Sequence, residues 1–149
     1  MIIRKARESD LESISLIYNK VREQHFPWID SKAISEGDIR KDTDGEEITV
    51  AEIDNLVVGF ISIWEPDNFI HHLFVSLEYQ TMGVGSKLME FVEQSHPSFL
   101  RLKCVAENKR AIEFYKKRCW HILESGSSDD ANYYLMEFRK PKKTVVRKE

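Results

Sequence analysis

Residues 69–94, FIHHLFVSLEYQTMGVGSKLMEFVEQ, decide the fold. The first part is β-branched, aromatic and apolar, and predicts a strand ending near Leu77. From about Val84 to Gln94 the pattern changes to a helix, with Leu88, Phe91 and Val92 on one face. Gly83 and Gly85 sit between the two. Glycines at the mouth of a helix either only ease a sharp bend, or let unpaired backbone N–H groups close on an anion. Two specific nucleotide motifs are excluded. No Gly-Lys-Ser/Thr completes a Walker loop, and no third glycine completes a dinucleotide fingerprint.

The flanking sequence supplies the remaining elements. MIIRKA reads as a first strand. In SDLESISLIYNKVREQHF, Leu11, Ile14, Ile17, Tyr18 and Val21 recur at helical spacing, with Ser9 as N-cap, Glu12 as its capping-box partner and Pro27 as terminator. SKAISEGDIRKD predicts a polar second helix and DTDGEE a turn. EITVAEI and LVVGFISIW are strands joined by the hairpin turn Asp54-Asn55, and EPDN leads into the strand that opens this section. After the glycine turn and its helix come strand FLRLKCVA, helix NKRAIEFYKKR, strand WHILESG, the polar loop SSDDAN and strand YYLMEFRK. The order βααβββαβαββ predicts an α/β fold: a mixed, mostly antiparallel sheet with one strand–helix–strand crossover and helices on its faces. No repeat or linker divides the chain, which reads as one domain over 1–140 followed by a basic tail over 141–149.

Composition narrows the class. Hydrophobic residues at 42% and charged residues at 32% describe a soluble globular chain of 149 residues. No apolar run approaches a membrane span, and the charged start MIIRKARESD does not read as a signal peptide. With only Cys104 and Cys119 present, no disulfide framework is expected, which points to a cytoplasmic setting. Net charge is −3, but residues 139–149 hold six Lys/Arg against one Glu, so the first 138 carry −8. An acidic body favours cationic small molecules or basic peptide segments, or serves solubility alone. No aromatics interleave with the basic tail, which argues against nucleic-acid binding.

The stretch LFV, then Gln80-x-x-Gly83-x-Gly85, and about 25 residues later Asn108-x-x-Ala111-x-x-Phe114-Tyr115, closely resembles the GNAT superfamily of acyl-CoA-dependent N-acetyltransferases. The resemblance covers nearly the whole chain, because the element order matches as well. It implies a sheet splayed at its centre and acetyl-CoA as co-substrate. Gln80, Thr81, Met82, Gly83, Val84, Gly85, Ser86 and Lys87 would cradle the pyrophosphate, mainly through backbone N–H groups. Phe74 and Val75 would offer backbone groups to the pantetheine arm, one N–H polarising the thioester carbonyl. Asn108 would reach the cofactor's arm, and Tyr115 would sit near the thioester sulfur.

Spacing supports part of this independently. Asn108 and Tyr115 are seven apart, on one face of a helix. A phenol with pKa of about 10 can protonate a thiolate near 8.5. Two plainer readings stand beside these roles: Asn108 as the N-cap of KRAIEFY, and Tyr115 as a core residue. Adjacent strand residues face opposite sides, so at most one of His71 and His72 is expected to reach the cleft; the parity found in the family selects His71 as general base, with Glu65 and a water chain as alternatives and a pair of partly buried sheet histidines as the plainer reading. Phe26 and Trp28, with His25, are the expected acceptor wall; Glu23, Asp30 or Glu36 would hold a cation, and Trp64 and Asp129-Asp130 would add lining.

One departure concerns Cys119-Trp120, where the family has glycine followed by an aromatic. Cys119 must take the left-handed helix cap itself, or the helix must end differently. The expected activity is acetyl transfer from acetyl-CoA to a primary amine, on a small molecule or a peptide. The rival is a non-catalytic acyl-CoA-binding module. A homodimer through the last exposed strand is a further expectation.

Overall fold

The computed structural model describes residues 1–25, 38–96, 98–129 and 131–140. Phe26, Trp28, Asp30, Glu36, Asp130 and the tail 141–149 lie outside these, as does the side chain of His25. Seven strands form one sheet: β1 (Ile2–Lys5), β2 (Glu47–Ile53), β3 (Leu56–Trp64), β4 (Phe69–Val75), β5 (Phe99–Val105), β6 (His121–Ser127) and β7 (Asn132–Arg139). Their spatial order is β1-β2-β3-β4-β5-β7-β6. Only β4 and β5 are parallel, and α3 (Val84–Ser95) connects them; every other pair is antiparallel. The remaining described helices are α1 (Leu11–His25), α2 (Asp38–Asp42) and α4 (Lys109–Lys117).

The sheet is covered on both faces, and each face has its own core. On one, Ile14, Ile17, Tyr18 and Val21 of α1 and Ile39 of α2 pack on Val50 and Phe60. On the other, Val84, Leu88, Met89 and Val92 of α3 pack with Ile61, Leu100, Met136 and Trp120. The apolar stripe of α1 is the one its spacing predicts. That of α3 is shifted: Phe91 is 38% exposed, while Val84 and Met89 are fully buried. The sheet-facing stripe runs through positions 84, 88, 89 and 92, leaving Phe91 at its margin.

Local chemistry explains the junctions. The β2–β3 hairpin turns on Asp54 and Asn55, both at positive φ (50° and 66°), as a two-residue primed turn requires. Ser9 is not what organises the start of α1. The Asp10 carboxylate accepts the Arg7 N–H at 2.7 Å and a fork from Arg4 at 2.7 and 3.0 Å, and this guanidinium holds the acid below its ordinary pKa. A charge-assisted fork outcompetes a hydroxyl for that turn. Between α3 and the segment after α4, the Glu93 carboxylate accepts from Arg118 Nη2 at 2.5 Å and from Trp120 Nε1 at 2.9 Å.

The end of α4 settles the question that Cys119 raised. Cys119 adopts φ 70°, the left-handed cap, although it is not glycine. Its N–H donates to Lys116 O at 3.0 Å, and Trp120 N–H donates to Tyr115 O at 3.1 Å. This is the paired bonding of a Schellman motif, completed by contact of the Trp120 and Tyr115 rings at 5.8 Å. A side chain in that conformation costs about 1–2 kcal/mol. Cys119→Gly should therefore stabilise the fold by about 1 kcal/mol, raising Tm by about 3 °C in thermal unfolding.

Candidate active site

The central opening of the sheet is built by β4. Its pairing with β5 is confined to Phe69↔Arg101 and Ile70↔Leu102, and from His71 onward the two strands part. At the same place the register of β4 against β3 slips: Ser62 opposes His72, while Ile63 opposes Ile70. His71 is the extra residue of a β-bulge, which bends its strand and breaks side-chain alternation. Ile70 and Leu73 both belong to the α3 face. His71 and His72 both reach the carboxylate of Glu46, on the α1 face. The expectation that only one histidine of the pair reaches that side is thus corrected, because strict alternation does not survive a bulge. Beyond it, Phe74 stacks on Phe60 at 5.6 Å on the α1 face, and Val75 returns to the α3 face.

The glycine turn closes the end of β4. Ser76 N–H donates to Val58 O at 2.7 Å, residues Leu77–Tyr79 form a 3-10 turn, and the Gln80 side-chain amide donates to Val75 O at 3.1 Å. Gln80 therefore pins the turn to the strand it follows. Thr81 and Met82 are exposed, and Gly83 takes φ 76° at the N-cap of α3. The two glycines do different work. Gly83 is required by its backbone angle, and a Cβ there would meet nothing within 4 Å, so the space before the helix is open. A Cβ at Gly85 would make ordinary contacts with Phe114 and Val75 at 3.9 Å. No side chain caps α3. Its first N–H groups, at Val84, Gly85 and Ser86, have no intrahelical acceptor, and the positive end of the helix dipole lies with them. Lys87 is exposed and 3.6 Å from Glu90.

By contrast, α4 is capped: Asn108 Oδ1 accepts the Ala111 N–H at 3.1 Å. The capping reading of Asn108 holds, and its side chain is exposed beside the end of β5. Two turns on, Tyr115 packs against Phe114 and Trp120 in the α3-face core. Burial pushes its phenol well above the ordinary range, and the nearby Cys104 of β5 adds to this. Burial also raises the Cys104 thiol, so both groups are neutral near pH 7. Cys104 lies two residues beyond the last β4–β5 pair, which places Tyr115 over the α4 side of the opening.

On the opposite side, Glu46 is the residue the sequence reading missed. It precedes β2, and its side chain is only 3% exposed. Tyr18, Asp42, Ser62 and the two histidines surround this region. Tyr18 Oη donates to Asp42 at 2.6 Å, and its ring meets His72 edge-on at 5.4 Å. The only hint in the sequence was a glutamate ahead of a strand, in a run, Gly45-Glu46-Glu47, that reads as a solvated turn. Glu65 is placed elsewhere: its carboxylate holds His96 Nε2 at 3.1 Å. Trp64 lies against Gly45. At the end of β5, Ala106, Ser125, Gly126, Asn132 and Tyr133 line an open cleft of ≈ 450 Å³.

Known proteins resemble this chain in sequence or in fold. A peptidyl-lysine N-acetyltransferase of Escherichia coli is 36% identical over 81 residues, which is 54% of this chain and 54% of that protein, so the match spans about half the relative's length. An N-acetyltransferase structure from Staphylococcus aureus superposes with a TM-score of 0.78 at 17% identity, covering 93% of this chain and 100% of that one. The yncA structure from Salmonella typhimurium, solved with its cofactor acetyl-CoA, superposes with a TM-score of 0.67 at 17% identity, covering 93% of each chain. The model of the Acetyltransferase (GNAT) family matches residues 7–119, and the chain belongs to that family.

Proposed function

We propose that the protein transfers an acetyl group from acetyl-CoA to a primary amine by direct attack in a ternary complex. The observation that carries this reading is the parting of β4 from β5 at His71, with an uncapped helix N-terminus on one face and an imidazole cluster on the other. The residues fit the co-substrate. The turn Gln80–Lys87 presents backbone N–H groups to an open space, as a pyrophosphate requires. The backbone of β4 from His71 to Val75 has no strand partner on its β5 side, which suits an extended amide-bearing arm. Asn108, beside the end of β5, can serve that arm as well as its cap. Acetyl-CoA supplies the activated carbonyl and a thiolate leaving group.

The chain's own groups would then act as follows. His71 removes a proton from the acceptor amine on the α1 face. A β4 backbone N–H near Val75 stabilises charge on the carbonyl oxygen. Tyr115 donates a hydrogen bond to the developing thiolate. With its phenol held above its ordinary value, full proton transfer to a thiol-like group of pKa about 8.5 is uphill, so donation of a hydrogen bond is the better role. The acceptor is a cationic small molecule or a basic peptide, the latter in line with the peptidyl-lysine specificity named for the Escherichia coli relative. Phe26 and Trp28 remain candidates for the acceptor wall. We place the activity in the cytoplasm, in a single domain over 1–140. Among the described residues no helix is long and apolar enough to cross a membrane.

Calorimetric titration with acetyl-CoA tests the first half of this reading. Micromolar binding by the wild type, weakened at least about 100-fold in Gly83→Trp, is expected, because the bulky side chain fills the space the turn leaves open. Absence of wild-type binding would remove the enzyme reading. Tyr115→Phe should lower kcat by about 10- to 100-fold while acetyl-CoA affinity stays within about threefold, measured by thiol release against an amine panel. His71→Ala should lower kcat by about 100-fold and abolish the acid limb of the pH–rate profile; an unchanged profile would exclude it as the base.

A further inference from the structure

Glu46 is placed where a carboxylate is expensive to keep. Its neighbour Glu47 is 57% exposed, whereas Glu46 is almost fully buried. One carboxylate oxygen, Oε2, pairs with Nδ1 of His71. The other, Oε1, is buried and makes no hydrogen bond among the described residues; Nδ1 of His72 lies 3.8 Å from it. Removing a carboxylate from water is unfavourable unless its partners compensate. Here the ring nitrogen of His71 is the partner within hydrogen-bonding reach. The site lacks the geometry of a structural strut, in which both oxygens are engaged, as at Glu93 with Arg118 and Trp120.

The two histidines are held differently. His72 is buried among Tyr18 and Phe74, with its Nδ1 2.7 Å from Ser62 Oγ. Desolvation lowers its pKa, with Glu46, His71, Asp42 and Arg22 as the charged or titratable groups around it. It is a neutral wall. The His71 side chain is 41% exposed, and with Nδ1 committed to Glu46 its other ring nitrogen, Nε2, is the reachable one. The groups facing His71 are Glu46 from the segment before β2, and His72 and the Phe69 ring from β4 itself. The bulge puts this imidazole on the first residue past the last β4–β5 pair, at the mouth of the opening.

We propose that Glu46 is the positioning residue of a carboxylate–imidazole dyad that deprotonates the acceptor amine, an inference that rests on the acetyltransferase reading above. Glu46 accepts the Nδ1–H of His71, fixing the tautomer in which Nε2 carries a lone pair. His71 Nε2 takes one proton from the acceptor ammonium. The neutral nitrogen forms the C–N bond as the C–S bond breaks and its electron pair passes to sulfur. The second nitrogen-bound proton neutralises that sulfur, and the imidazolium returns its proton to water. Throughout, the carboxylate stabilises the imidazolium without itself being protonated. The dyad is composed of residues 25 apart in sequence, one from the segment before β2 and one from β4, strands that are not neighbours in the sheet.

The test combines a ring-nitrogen NMR measurement on the protein alone with steady-state kinetics. In the wild type at pH 8 the His71 ring is expected as the Nδ1–H tautomer, and in Glu46→Ala it should revert toward Nε2–H; the same tautomer in both proteins overturns the dyad. Glu46→Gln keeps the volume and should fold if Glu46→Ala does not, as thermal melting will show. It should lower kcat by about 10- to 100-fold with acetyl-CoA affinity unchanged within about threefold, and add little to the loss already caused by His71→Ala. A kcat within twofold of wild type overturns the proposal while leaving acetyl transfer intact. Failure of the wild type to bind acetyl-CoA removes the acetyltransferase reading, and with it the dyad's catalytic role, whatever tautomer His71 shows.

Discussion

The structure depends on one failure of pairing. Parallel strands β4 and β5 hydrogen-bond at two registered positions and then separate, even though both remain tied to their outer neighbours, β3 and β7. Unpaired backbone groups inside a sheet are costly, and a fold keeps them only where something else supplies their hydrogen bonds. The bulge at His71 is what makes the separation possible. It absorbs one extra residue, bends β4 away, and at the same stroke turns both histidines toward α1. The opening and its imidazole lining therefore have a common origin.

Around that opening the two faces of the sheet are specialised by helix ends rather than by helix bodies. On one face α3 begins uncapped, at a glycine that only a positive φ explains, while α4 begins capped by its own asparagine. Electrostatically the first is available to an anion and the second is not. The end of α4 then fixes Tyr115. Its carbonyl receives the Trp120 N–H, its ring meets Trp120, and Trp120 is anchored through Glu93 to α3. The strained cap at Cys119 is held by this network, so a local backbone penalty is offset by buried tertiary contacts. On the other face, α1 delivers Tyr18 to His72 and α2 delivers Asp42 to Tyr18. The face that would receive the amine is polar and aromatic, and the face that would receive the co-substrate is glycine, backbone and a half-buried phenol.

Much of this was legible in the sequence because it is local. The stripe of α1, the primed turn at Asp54-Asn55, the asparagine cap at Asn108 and the glycine entry to α3 each follow from a few consecutive residues and the steric rules they obey. So does the belonging of the chain to its family, since the glycine turn and the Asn108–Tyr115 helix keep fixed spacing along one continuous segment. Three readings needed correction or completion. Ser9 yielded to Asp10 because Arg4, on β1, supplies a charged partner. Phe91 yielded its place in the core because the sheet-facing stripe of α3 runs through Val84, Leu88, Met89 and Val92. The strict alternation expected of His71 and His72 failed because the register of β4 against β3 slips at His71.

The sequence by itself determined the order of elements, the two-faced sheet and the glycine turn at the mouth of α3, all of which rest on interactions between residues within about one helical turn or one hairpin of each other. Only the tertiary structure decided where β4 leaves β5, which face receives the histidines, and that Glu46 is buried against them. Those depend on residues tens of positions apart meeting in a water-poor space, where the loss of hydration makes each unpaired charge select its partner. Nothing in a run of glutamates ahead of a strand distinguishes the one that will be buried; the packing of the sheet does.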